Sequence, residues 1–288
     1  MSNQPSSQAL DLSRYFSAIH RGGDGIWHVA GSQPVSYSEG GHDRCFSVED
    51  GSFWFQHRNA CILELIKACP PADGGIVFDI GGGNGYVAKG ISDAGFPTVL
   101  VEPGPEGAGN ARQRGLADVV CATLDGAGLR AGSLPAVGIF DVLEHVVDDA
   151  GFLRQLHAAL AAGGRLYLTV PAYQLLWSDR DVIAGHQRRY RLGQLTALLA
   201  ANGFQVEYAS YFFRPLVLPI LLFRTLPTRL GIVRKDVDAD RVAKDHNTRQ
   251  GPLKRVLRRL HGGEIGNVRA GIRMRFGASC IVAATRRD

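Results

Sequence analysis

Between residues 55 and 209 short runs of aliphatic residues alternate with stretches whose apolar positions recur every three or four residues. Ile62, Leu63 and Ile66 lie at helical spacing, which predicts a helix from Phe55 to Cys69, and Pro70-Pro71 stops it. A strand follows at Ile76–Ile80, then a glycine cluster, then a helix over Tyr86–Ala94. Thr98–Val101 reads as a strand with Glu102 at its tip, Ala108–Arg114 as a helix, and Asp118–Cys121 and Ala136–Phe140 as strands. Asp148 and Asp149 open a helix expected to run to Ala162, with Phe152, Leu153, Leu156 and Leu160 on one face and Gly163-Gly164 as its stop. Arg165–Val170 is the next strand, Gly193–Ala201 a helix stopped by Asn202-Gly203, and Phe204–Ala209 a strand. The last strand is expected at Ala278–Thr285.

Strands and helices alternating at this spacing predict an α/β fold with a largely parallel sheet covered on both faces. In such sheets ligands bind outside the carboxyl ends of the strands, at the switch point. The organisation expected is an irregular N-terminal extension over residues 1–50, an α/β domain over 51–212, an excursion over 213–277 with a helical piece near Leu253–Leu260, and a final strand over 278–288.

The chain has 288 residues, 45% hydrophobic and 20% charged, which is globular and excludes fibrous, disordered and membrane-spanning classes. Its most apolar run, Leu216–Phe223, holds eight residues and a proline, far short of the roughly 20 that span a bilayer. That run still suits a surface lying on a membrane or covering an apolar substrate. The N-terminal MSNQPSSQALDLS has neither the basic nor the apolar region of a signal peptide, so a cytoplasmic location is expected. Cys45, Cys61, Cys69, Cys121 and Cys280 are odd in number and contain no C-x-x-C pair, so they are expected as buried thiols without disulfide or metal.

Charge is unevenly spread. Arg224–Arg275 carries fourteen Lys and Arg against five Asp and Glu, a net of +9, in a chain of net +5. A basic segment on a mildly acidic body fits an anionic partner such as a phosphate-bearing substrate, nucleic acid or a lipid surface, and fits a solvated basic helix equally well.

The candidate chemistry starts in the stretch VFDIGGGNG, residues 77–85. Glycines at a strand-to-helix turn admit a ligand to the backbone, and the helix's free N–H groups favour an anionic group there. Gly83-Asn84-Gly85-Tyr86-Val87-Ala88 fits the dinucleotide fingerprint, with Glu102 seventeen residues past Gly85 as a ribose ligand. Asp79 followed by Gly81, Gly83 and Gly85 also resembles the first motif of the class I S-adenosylmethionine (SAM) dependent methyltransferases. Three further segments resemble that family in order: Glu102 in VEPG, FDVLEHV at 140–146, and LAAGGRLYL at 160–168, while GHQRRY at 185–190 is similar to a segment after the fifth strand. Together they place the chain with the small-molecule branch of the family rather than with dinucleotide enzymes.

The resemblance covers roughly Ser52 to Thr285 and implies a Rossmann-like, doubly wound seven-stranded sheet in the order 3-2-1-4-5-7-6 with strand seven antiparallel, carrying a long basic insertion between its last two strands. It implies SAM as methyl donor, S-adenosylhomocysteine as product and no metal. Gly81, Gly83 and Gly85 would pass the methionine end of SAM, with Asp79 supporting the loop. Glu102 would accept both ribose hydroxyls, since a carboxylate offers two acceptor oxygens. Thr123 and Leu124 would border the adenine, Asp141 and Val142 the sulfonium side. Trp54 or Phe55 would stack near the sulfonium or pack into the core, and Arg58 would pair with the SAM carboxylate.

His145 and His186 are the candidate bases, because imidazole titrates near ~6.5; either also suits ordering its own loop. Arg188 and Arg189, with Tyr190, would bind a substrate phosphate or carboxylate or brace their loop against acidic residues. The expected function is methyl transfer to a small-molecule or glycan-type acceptor, most readily at oxygen, the acceptor being an amphipathic anion such as a lipid-linked or phosphorylated sugar. A nucleic-acid methyltransferase is the rival raised by the basic segment, disfavoured because FDVLEHV replaces an N-P-P-Y type sequence and no RNA-binding domain is recognisable. A SAM-binding protein without methyl transfer is the third reading.

Overall fold

A computed structural model describes residues 10–29, 46, 48–231 and 262–288. Among these, nine strands form a single sheet in the order β1-β2-β5-β4-β3-β6-β7-β9-β8. The strands are β1 (Ile19–Arg21), β2 (Trp27–Val29), β3 (Val77–Ile80), β4 (Thr98–Glu102), β5 (Val119–Cys121), β6 (Leu134–Phe140), β7 (Leu160–Pro171), β8 (Phe204–Phe212) and β9 (Ser279–Arg286). β2 through β7 are mutually parallel where they pair, whereas β9 runs antiparallel to both β7 and β8. The helices that position the site are α1 (Phe53–Ala68), α2 (Tyr86–Asp93), α3 (Pro105–Gln113), α4 (Asp149–Ala159), α5 (Asp179–Ile183) and α6 (Leu192–Ala201).

β3 shows why the sheet's centre is dry. All four of its residues are buried, and they alternate: Phe78 and Ile80 join the larger core with Val101, Ile139 and Leu168, while Val77 joins a second core with Ile62, Ile66 and Tyr167. A strand covered on both faces needs apolar residues at successive positions. Asp79 breaks that rule, on the face of Val77.

The described chain departs from expectation in four places. The sheet has nine strands where seven were expected, because residues 19–29 of the N-terminal extension add two: β2 pairs parallel to β5, and β1 folds back on β2 through a turn in which Asp24 Oδ1 accepts the Ile26 N–H at 2.9 Å. Leu12 and Phe16 are buried against Phe78, which anchors that extension. α4 stops at Ala159 rather than Ala162, since Leu160 turns extended and pairs with Leu134. The excursion also opens as helix: Arg214–Arg229 forms an unbroken run of 3-10, α and π turns, and a further helix spans 262–269. Residues 232–261, including the helix expected near Leu253–Leu260, lie outside the described residues, as does Cys45. Cys61, Cys69, Cys121 and Cys280 are free thiols.

Glu264 fixes this excursion to the body. Its Oε2 lies 2.8 Å from His57 Nε2 on α1 and accepts the Phe213 N–H at 3.0 Å, while Oε1 accepts the Arg214 N–H at 2.7 Å. One buried carboxylate thereby joins α1, the end of β8 and the first turn of the 214–229 helix, whose opening N–H groups need acceptors.

Candidate functional site

β3 is flanked by β4 on one side and β6 on the other, so the chain leaves it in opposite directions and a crevice opens at its carboxyl end. The glycine turn sits there. Gly81, Gly83 and Gly85 have φ of 74°, 55° and 74°, the left-handed region that other residues adopt only at a penalty. Gly82 is required for a different reason: a Cβ there would lie 2.1 Å from Leu100 Cδ1 and 2.6 Å from Asp79 Oδ2.

Glu102, at the end of β4, is 2% exposed and locks the turn. Its Oε2 accepts the Gly83 N–H at 2.9 Å and its Oε1 the Gly104 N–H at 2.7 Å. Beneath the turn Asp79 is fully buried with no close hydrogen-bond partner at either oxygen, and burial pushes its carboxyl up to about 7 despite the opposing pull of Arg58. A buried acceptor left in this state, beneath a turn opened by glycine, calls for a cationic or N–H-bearing partner.

On the other side, Asp141 follows β6 with φ 57°, unusual for a non-glycine residue. Arg58 from α1 makes an ion pair with Asp141 Oδ2, and Thr169 Oγ1 donates to Oδ1 at 3.0 Å. The Arg58 guanidinium also lies 4.7 Å from the centre of the Trp54 ring and 5.4 Å from that of Phe55. Trp54 in turn stacks on Phe213 at 5.5 Å, and Val142 crowds Gly81 closely enough that a Cβ would meet it at 2.9 Å.

Beyond Asp141 lies a second polar group. Glu144 and His145 occupy a 3-10 turn, Leu143–His145, and His186 reaches them from the 185–190 loop, its ring 4.8 Å from that of His145 and nearly perpendicular to it. The loop is held by its own contacts. Gln187 N–H donates to the Glu144 carbonyl at 2.7 Å, His186 Nδ1 meets Asp181 Oδ1 at 2.9 Å, and Arg189 forks onto both Asp181 oxygens at 2.7 and 3.0 Å. Burial alone would raise Asp181, but the hydrogen bonds from His186 and Arg189 overcome it and hold the carboxyl at about 2. His145 is lowered, first by burial and then by His186, which favours a neutral ring. Burial and the neighbouring Asp141 push Glu144 well above the ordinary carboxylate range.

Several expected residues are therefore engaged by protein. Arg188 pairs with Asp149 at 2.8 Å and the Val147 carbonyl at 2.7 Å, Arg189 with Asp181, and Tyr190 is buried with its hydroxyl 3.0 Å from Asp149. This is the bracing arrangement of that loop. Thr123 Oγ1 accepts the Gly126 N–H at 3.0 Å, and Leu124 packs against the larger core. Asp79, the three glycines, Glu102, Arg58, Asp141 and Val142 are brought together, and His145 meets His186.

Sequence reasoning missed the clasp over the glycine turn. Arg114 pairs with buried Glu49 at 2.7 Å and donates to the Asn84 carbonyl at 3.1 Å, while Asn84 Nδ2 donates to Glu49 at 3.3 Å and Asn110 Nδ2 donates to Asn84 Oδ1 at 3.1 Å. The only sequence signal was Asn84 itself, a polar residue inside a glycine turn. Asp149 and Asp181 were missed as partners for the loop cations.

Comparisons with known proteins point to one family. The family described as "Methyltransferase domain" matches residues 54–209. A Mycobacterium tuberculosis protein named "Probable S-adenosylmethionine-dependent methyltransferase MT3114" is 26% identical over 200 residues, 68% of this chain and 72% of that protein. The "Ubiquinone biosynthesis O-methyltransferase" of Xanthomonas axonopodis pv. citri is 30% identical over 171 residues, 53% of this chain and 72% of that one. Among solved structures, Haemonchus contortus phosphoethanolamine N-methyltransferase 2 with bound SAM superposes with TM-score 0.54 at 18% identity, covering 88% of this chain and 58% of that one. A Thermotoga maritima SAM-dependent methyltransferase gives TM-score 0.52 at 17% identity, covering 85% and 95%. These structures share the fold.

Proposed function

Because the chain belongs to the methyltransferase-domain family and is a SAM-dependent methyltransferase, we propose that it methylates an oxygen of a small amphipathic acceptor, with SAM across the ends of β3, β4 and β6. The observation that carries this placement is the meeting of Glu102 with Gly83 at 2.9 Å, which puts a diol acceptor beside a turn opened by glycine. Bound SAM supplies a methyl carbon already activated by its sulfonium.

The residues then have three tasks. Glu102 accepts from the ribose hydroxyls. Gly81, Gly83 and Gly85 let the methionine end approach, and Asp79 offers a negative pole to its ammonium. Arg58, positioned by Asp141 and by the faces of Trp54 and Phe55, attracts the carboxylate. Asp141 and Val142 line the sulfonium side; Thr123 and Leu124 border the adenine.

With SAM bound, an acceptor oxygen held in line with the methyl carbon would take it from the sulfonium, whose sulfur would keep the electron pair and leave as a neutral thioether. The acceptor's proton leaves to the imidazole pair. His186 is the base we assign, since Asp181 holds Nδ1 and leaves Nε2 to accept, with His145 neutral beside it. Positioning in line contributes about 7–11 kcal/mol in well-oriented reactions. Arg188, Arg189 and Tyr190 shape the acceptor wall by bracing their loop.

Oxygen is supported by the imidazole pair and by the O-methyltransferase named among the relatives. A lipid-linked or phosphorylated acceptor is supported by the 214–230 segment, where Leu218, Leu222, Phe223, Leu226 and Leu230 are exposed beside Arg224 and Arg229. The nucleic-acid alternative has no counterpart among those relatives' names. Incubating the protein and radiolabelled SAM with fractionated cell extract tests the reading. Label in an organic-soluble or glycan product, identified by mass as an ether or ester, is expected; label confined to RNA or to an N-methyl product overturns it.

A further inference from the structure

Glu144 is the most conspicuous side chain that methyl transfer leaves without a task. It is 1% exposed and its Oε2 has no hydrogen-bond partner among the described residues. A buried acceptor in that condition calls for an unseen partner. Two imidazoles stand beside it: one ligand atom each from Glu144, His145 and His186 lie within 4.8 Å of one another.

We propose that Glu144, His145 and His186 hold one divalent transition-metal cation of the Zn²⁺ class, with a coordination position left open toward the acceptor oxygen. Two imidazoles and one carboxylate suit a borderline ion, and three protein ligands leave a fourth position for water or substrate. Hard ions such as Mg²⁺ prefer oxygen ligands, which this trio does not mainly supply. An ion sits roughly 2.0–2.2 Å from each ligand atom, and rotation of the two half-buried imidazoles toward Glu144 closes any separation beyond that span.

The surroundings have the features of a metal site's outer shell. His186 Nδ1 is 2.9 Å from Asp181 Oδ1, an arrangement that fixes the ring with Nε2 as the available ligand. Asp181 is itself held by Arg189 and by the Ser178 N–H at 2.9 Å. The 3-10 turn bearing two ligands is tied to the loop bearing the third by Gln187 N–H on the Glu144 carbonyl. The nearby cations are already neutralised, Arg58 by Asp141 and Arg189 by Asp181. An added dication meets the uncompensated oxygen of Glu144.

The ion deepens the reading of the acceptor end and rests on it for what would fill the open position. An acceptor hydroxyl bound there loses its proton to solvent more readily because the ion stabilises the alkoxide or phenoxide. The imidazoles then act as ligands, and the chelated and loaded enzymes differ in how the proton leaves.

Chelator-stripped full-length protein, without SAM, is titrated with Zn²⁺ against a chromophoric chelator and separately loaded with Co²⁺ for visible spectroscopy. One equivalent should bind, with Co²⁺ bands of a four- or five-coordinate nitrogen–oxygen site. His186→Ala and Glu144→Gln should weaken Zn²⁺ at least 100-fold and Asp181→Asn about 10- to 100-fold, with SAM affinity retained as the sign of an intact fold. Zn²⁺ affinity unchanged in His186→Ala, or a Co²⁺ spectrum of the hydrated ion in the unmutated protein, overturns the proposal. SAM binding is measured apart from the metal, so either result leaves the assignment of the methyl donor standing or falling by itself.

Discussion

Asp79 sits where the sheet is driest, and its chemistry follows from that. Its carboxyl is raised to about 7 in the folded chain from an ordinary 3.8, so between those values the folded state holds a proton that the unfolded chain has lost. This contribution is fully present below pH 3.8 and is lost as pH rises through about 7. Asp79→Asn should therefore gain stability relative to the parent as pH rises across that window, at about 1.4 kcal/mol per pH unit at most. Urea denaturation of the ligand-free pair at pH 5 and pH 8 reads this, and a constant difference would refute it. At the acceptor end, Asp181→Asn removes the acceptor that orients His186 and both bonds to Arg189. Turnover should fall about 10²-fold or more while SAM affinity stays within about threefold, since base catalysis contributes in that range; steady-state kinetics with calorimetry separate the two.

At the scale of elements, the buried parallel strands were legible because burial on both faces leaves unbroken apolar runs, as in Val99, Leu100 and Val101. β1 and β2 were not, because each is three residues long with histidine or arginine in it, and their pairing depends on the distant edge of β5. The glycine turn, Glu102 and Asp141 were legible as motif residues. Glu49 and Arg114, Asp149 and Arg188, and Asp181 and Arg189 were not, because an ion pair between separate elements leaves no period in the sequence. Glu264 belongs to the same class. Removing it strands His57 and the opening N–H groups of the 214–229 helix, so Glu264→Ala should lose about 3 kcal/mol of stability. Glu264→Gln, which retains an acceptor oxygen, should lose less; equal losses measured in denaturant would show that the charge is the whole effect.

Among the described residues, five exposed large apolar side chains share one segment, 214–230, where Leu218, Phe223 and Leu230 are 65%, 73% and 72% exposed. No helix among the described residues is long and apolar enough to cross a membrane. With the neighbouring +9 stretch, this segment should favour anionic bilayers. Cosedimentation with phosphatidylserine-containing vesicles should exceed that with neutral vesicles and fall at least fivefold in Leu222→Ser/Phe223→Ser; equal pelleting of parent and variant would remove the membrane from the account. The central claim concerns the glycine turn, where Glu102 meets Gly83. Calorimetric titration of SAM into the protein and into folded Glu102→Ala and Glu102→Gln tests it most directly. One site, weakened at least tenfold in Glu102→Ala, is the result expected; the same affinity in all three proteins would contradict the placement of the methyl donor.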